Sequence, residues 1–116
     1  MQLSDVLDRA ISPAFSLLPA NMRGREAAVM LLAIGLQESA FLHRRQIKGP
    51  ARGFWQFELG GGFRGVLQHR ASAGHARMLA DARGFARQTE AEQFSQLELD
   101  DVYAAGIARL LLWTDP

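Results

Sequence analysis

Cysteine is absent from the 116 residues, so disulfides and thiolate metal sites are excluded and the redox compartment is left open. An excess of one charge is lacking too. The 13 basic and 12 acidic residues leave a net charge of +1. That balance argues against a nucleic-acid partner, which requires a strongly basic chain. No apolar run is long enough to cross a bilayer. The longest, Ala27 to Leu36, falls well short of the ~20 residues a span takes, so no stable membrane insertion is expected. Met1 to Asp5 has neither the basic nor the apolar segment of a signal peptide. Strand signals are weak, and there is no internal repeat or low-complexity tail. His43, His69 and His75 lack metal-ligand spacing, and no His-Glu-x-x-His helix is present. Gly60, Gly61 and Gly62 are not followed by Lys-Ser or Lys-Thr, so they do not form a phosphate loop and read instead as a turn. No metal and no cofactor is implied.

What is present suits one soluble, mainly α domain over residues 1–116, with hydrophobic residues at 48% and charged residues at 22%. Ser4 is placed to cap a first helix carrying Val6, Leu7 and Ile11. Ser12-Pro13 reads as a second start. Asn21 is expected to cap a longer helix that reaches about Phe41. Between Ala27 and Leu36 that helix is apolar on every side, which predicts the central buried helix of the fold. His43 to Gly62 reads as irregular. A short helix follows around Phe63, Val66 and Leu67, and Ser72 opens another that ends near Gly84. Thr89 with Glu92 forms a capping-box pattern, and Asp100 is placed to cap the last helix. The chain stops at Asp115-Pro116 directly after an apolar helix, which predicts a truncated C-terminal end.

One constellation carries chemistry. Gln37-Glu38-Ser39-Ala40-Phe41 is followed by Gly49-Pro50-Ala51-Arg52-Gly53-Phe54-Trp55-Gln56, with Gln56 eighteen positions after Glu38. These segments resemble the Glu-Ser-x-Phe and Gly-Ala-x-Gly-Leu-Met-Gln motifs of lytic transglycosylases and goose-type lysozymes. Ala51, Gly53 and Gln56 match the second motif by identity. Phe54 and Trp55 replace its Leu and Met, and Pro50 replaces its first Gly. Val102-Tyr103-Ala104-Ala105-Gly106 is a weaker match to the family's Asn-Ile-x-Ala-Gly helix. The Asn-Pro that follows the Phe in the family is replaced by Leu42-His43, and the later Ala-Tyr-Asn-Ala-Gly motif is missing. Trp55 and the arginine-rich loop are similar to a divergent phage or prophage branch.

The resemblance implies a lysozyme-like helical domain with a cleft-lining loop, acting on peptidoglycan between N-acetylmuramic acid and N-acetylglucosamine. It implies Glu38 as the catalytic acid, Ser39 orienting it, and Gln56 lining the cleft. Trp55 and Tyr103 would be substrate-side residues. The chemistry of the residues points the same way, because glycosidic cleavage needs a protonated acid at the leaving oxygen. A carboxyl at the end of an apolar helix is expected to be partly desolvated, and desolvation disfavours the charged form of any carboxyl. Each role has a plainer counterpart. Ser39 also fits ordinary helix-end hydrogen bonding, Phe54 and Trp55 fit core packing as well as sugar stacking, and Glu58 fits a solvated surface as well as a second cleft carboxylate. Arg44, Arg45, Lys48 and Arg52 form either a patch for anionic wall groups or a solvated loop. With no signal peptide, such an enzyme would reach the wall through a holin lesion or as a virion component. The alternative reading is a non-catalytic lysozyme-like phage structural or wall-binding module.

Overall fold

Asp100 accepts hydrogen bonds from the backbone N–H groups of Val102 and Tyr103 at 3.0 and 3.1 Å, and so starts the helix around which the others pack. This helix, Asp101–Thr114, buries every residue from Val102 to Ala108, and Leu110 as well. Its Ala104, Ala105, Gly106 and Ala108 leave room for neighbours to approach. A Cβ at Gly106 would collide with Leu79. The computed structural model describes residues 1–114, and over them the protein is mainly α with no sheet. The expected C-terminal truncation, at Asp115-Pro116, lies outside the described residues.

In chain order, α1 (Leu3–Val6) and α2 (Ser12–Ser16) are joined by a wide π-type stretch, Leu7–Ile11, in which the Ser12 N–H reaches back to the Leu7 carbonyl. The three pieces form one rod, because Ser12-Pro13 continues the helix where a second start was expected. Proline is tolerated in the first turn of a helical piece. Val6, Ala10, Ile11 and Ala14 are the buried side of this rod, which packs on the central helix. Next come α3 (Arg25–Ser39), α4 (Arg64–Gln68), α5 (Ala73–Ala82), α6 (Glu90–Leu99) and the central helix, α7 (Asp101–Thr114). The Thr89–Glu92 capping box forms as the sequence predicts, at 3.0 and 3.2 Å. Ser72 precedes α5 as expected, but its hydroxyl donates to the Val66 carbonyl at 2.6 Å and so ties α5 back to α4. Asn21 and Ser4 do not cap. Asn21 lies inside a 3-10 turn, Ala20–Met22, Gly24 stands at the head of α3, and Gln2 stands at the head of α1.

The identity of the central helix is corrected. Residues 27–36 do belong to one helix, but α3 lies on the outside of the fold. Only Leu31, Gly35 and Ser39, one stripe at four-residue spacing, are buried, while Val29, Met30 and Leu36 are 56%, 51% and 46% exposed. A run that is apolar all round permits burial on every side without requiring it, since burial depends on how many neighbours the helix has. α7, with its small residues, is the helix that can be surrounded.

Candidate functional site

α3 ends at Ser39 because Ala40 and Phe41 both take left-handed backbone, with φ of 54° at each. This double turn throws the Phe41 ring back against its own helix. Gly35 makes room for it, since any Cβ there would overlap the ring. Phe41 then stacks edge-on against Phe54, with centroids 5.4 Å apart, and against Trp55, 5.7 Å apart. The Trp55 Nε1–H donates to the Leu31 carbonyl of α3 at 2.9 Å. The segment ending in Phe41 and the segment ending in Gln56 are therefore packed on one another.

The second segment is a tight turn. The Gln56 N–H donates to the Gly53 carbonyl at 2.9 Å, and Arg52 and Phe57 exchange backbone hydrogen bonds at 2.8 and 3.0 Å across its base. Gly53 sits at φ 80°, and a Cβ there would lie 2.9 Å from the Leu97 carbonyl of α6, so glycine is needed on both counts. Gln56 itself is left-handed at φ 56° and half-buried, and its Nε2 donates to the Gly53 carbonyl at 2.9 Å.

The loop between the segments is clamped to the last two helices. Arg44 grips Asp101 through two hydrogen bonds of 2.9 and 2.8 Å and lies over the Phe54 ring at 4.3 Å. Arg45 grips Glu98 at 2.9 and 3.0 Å. These charge-assisted bonds raise both guanidinium values, and Arg45 holds the Glu98 carboxyl below the usual carboxylate range. Arg52 donates to the Gly49 and Ala51 carbonyls. The basic cluster is therefore mostly structural. Neither expected reading, a patch for anionic wall groups or a solvated loop, pointed to Glu98 and Asp101, which lie more than fifty positions away.

The expected site residues divide sharply. Glu38 is exposed on the last turn of α3, with no hydrogen bond or ion pair from its carboxylate among the described residues, so the expected partial desolvation is not met. Ser39 is buried, but its hydroxyl donates to the Gly35 carbonyl at 3.2 Å and accepts from the Phe41 N–H at 3.1 Å. It braces the turn and does not hold Glu38. Trp55 is 5% exposed and belongs to the core, so it offers no sugar-stacking face. Tyr103 is fully buried between Phe63 and Phe85. Its hydroxyl has no partner among the described residues, and burial pushes the phenol far above its ordinary range. Such a position excludes substrate contact. Glu58 is exposed, just past the turn that carries Gln56. Glu38, Gln56 and Glu58 do not line any of five well-formed cavities among the described residues. No group of three or more His, Asp or Glu able to hold a metal is found among the described residues. Comparison with family models, curated proteins and solved structures finds no match.

Proposed function

We propose that the protein cleaves peptidoglycan glycan strands between N-acetylmuramic acid and N-acetylglucosamine, by a lytic transglycosylase or lysozyme mechanism with Glu38 as the acid. The observation that carries this reading is where the backbone is strained. Ala40, Phe41, Lys48 and Gln56, the four non-glycine residues with left-handed backbone among the described residues, all lie within or between the two motifs. Each such position costs on the order of 1 kcal/mol and persists only where its surroundings dictate it, a pattern typical of functional sites. The strained positions follow Glu38 in the first segment and reach Gln56 in the second, and the two segments are joined through Phe41, Phe54 and Trp55.

In the proposed reaction Glu38 donates its proton to the glycosidic oxygen as the C1–O bond breaks. It then takes a proton from whichever hydroxyl captures the oxocarbenium-like carbon, the sugar 6-hydroxyl or water. Because Glu38 is open to solvent, the glycan itself must exclude water from it. Ser39 acts one step removed, by holding the turn. In this reading the protein reaches the wall through a holin lesion or within a virion. No helix among the described residues is long and apolar enough to cross a membrane.

A second reading, a non-catalytic lysozyme-like module that binds the wall, is favoured by one observation: the Glu38 carboxylate is exposed and has no hydrogen-bond or ion-pair partner among the described residues. Mass spectrometry of muropeptides after digestion separates the two. Under the proposal wild type releases fragments and Glu38→Gln loses at least ~10²-fold, the low end of general acid catalysis. Glu58→Gln retains activity and leaves 1,6-anhydro ends if one carboxylate suffices, and is nearly inactive, with wild type giving reducing ends, if two are needed. Wild type that binds peptidoglycan, releases nothing, and is matched in binding by Glu38→Gln establishes the non-catalytic module.

A further inference from the structure

At the opposite end of α3 a cavity of about 390 Å³ is lined by Asn21, Arg23, Arg25, Glu26 and Arg109. That lining carries three arginines and one carboxylate, an excess of two positive charges. The four ion pairs among the described residues use Arg44, Arg45, Arg64 and Arg83, and none of the cavity arginines takes part. Arg109 rises from the central helix and is half-buried without a counter-ion, and its burial alone depresses its guanidinium value. A charge withdrawn from water and left unpaired is costly, and an incoming anion removes that cost.

Two of the three arginines are also held in place. The Arg109 Nε–H donates to the Met22 carbonyl, and its guanidinium lies 5.6 Å from the Trp113 ring centre. The Arg23 Nε–H donates to the Leu18 carbonyl at 2.9 Å. Both ties use Nε and leave the Nη donors free for an acceptor. Fixed guanidinium forks match the paired oxygens of phosphate and lose little freedom on binding it. The uncapped first turn of α3 adds to the field but is not a site by itself.

We propose that this cavity binds a phosphate-class oxyanion, a phosphomonoester or phosphodiester, through Arg23, Arg25 and Arg109. The two unbalanced charges match a phosphomonoester dianion, and the paired oxygens of either ester suit the guanidinium forks. The cavity lies within the usual range of ligand pockets and leaves room for a group esterified to the phosphate. It lies about 20 Å from Glu38, at 1.5 Å of helix rise per residue, and is independent of the reading of that residue.

The test is an NMR titration of the intact protein with inorganic phosphate and with glycerol 3-phosphate, beside flotation with phosphatidylglycerol and phosphatidylcholine vesicles. Phosphate is expected to move the amides of Gly24 to Ala27 and of Arg109. Arg109→Gln and Arg25→Gln are each expected to weaken binding about tenfold or more, the loss of one charge-assisted contact. Arg109→Gln also loses its tie to Met22. Arg25 is exposed and makes no side-chain hydrogen bond among the described residues, so Arg25→Gln reads the site with the fold undisturbed. Binding to phosphatidylglycerol but not phosphatidylcholine vesicles, lost in both variants, identifies a lipid headgroup as the source. Binding of glycerol 3-phosphate without vesicle binding identifies a soluble ester. Unmoved amides, or equal binding by both variants, overturns the proposal.

Discussion

Trp55→Phe tests whether the second motif is built into the core or open to a substrate. The substitution keeps an aromatic ring against Phe41 and Phe54 but removes the indole N–H that reaches the Leu31 carbonyl at 2.9 Å. That carbonyl is mid-helix and keeps its intrahelical partner, so the lost bond is worth about 1 kcal/mol and no orphan is left. The indole also fills space that phenylalanine does not. Roughly 40 Å³ at about 24 cal/mol per Å³ adds about 1 kcal/mol. The surroundings are already loosely filled, since Trp55, Leu31 and Phe57 border a void of about 50 Å³, so the smaller ring has little to support it. The expected loss is about 2 kcal/mol. With an unfolding entropy near 2.1 cal/mol/K per residue over 116 residues, that lowers Tm by about 8 °C. Urea unfolding followed by circular dichroism gives the free energy. Fluorescence gives an independent check. The protein has two tryptophans, Trp55 at 5% and Trp113 at 37% exposure, so removing the buried one should shift native emission to the red. A variant of unchanged stability and unshifted emission that loses glycan binding would refute the reasoning and return Trp55 to the cleft.

The remaining expectations concern Tyr103 and Gly53. Tyr103 is the single tyrosine, and its burial keeps the hydroxyl neutral in the folded state. Its raised folded value makes its contribution to stability full below the ordinary phenol value of about 10 and progressively lost above it. Tyrosinate absorbance at 295 nm should therefore appear only as the helical signal collapses at high pH. A reversible titration near 10 with helicity intact would contradict this. Because that hydroxyl is unpaired, Tyr103→Phe should stabilise the protein by about 1 kcal/mol, and a clear loss in urea unfolding would mean that a partner exists. Gly53→Ala meets both a left-handed backbone and the Leu97 carbonyl at 2.9 Å. It should cost about 2 kcal/mol or more and loosen the loop from α6, read by hydrogen exchange at Arg52 and Phe57. Exchange and stability unchanged from wild type would show that the turn does not depend on glycine.

The sequence by itself determined the helices and several of their ends. The capping box at Thr89 and the Asp100 cap formed as read, because they are contacts between residues two or three apart and need nothing distant. It also placed the irregular stretch after Phe41, although the three glycines expected to extend it lie in a kinked π-type helical piece, Leu59–Phe63, that leads into α4. Which helix is central was decided by tertiary structure alone. Periodicity reports which faces of a helix can be buried, and only the packing shows that α7, lined with alanine and glycine, is enclosed while α3 keeps Val29, Met30 and Leu36 in solvent. The site shows the same division. The motif spacing pointed to two segments acting together, and Phe41, Phe54 and Trp55 do join them. The surroundings of each side chain were not legible. Ser39 spends its hydroxyl on the turn, Trp55 and Tyr103 are drawn into the core, and Arg44 and Arg45 are taken by acids more than fifty positions away. A side chain's role follows from what it touches and how much water reaches it, and long-range packing sets both.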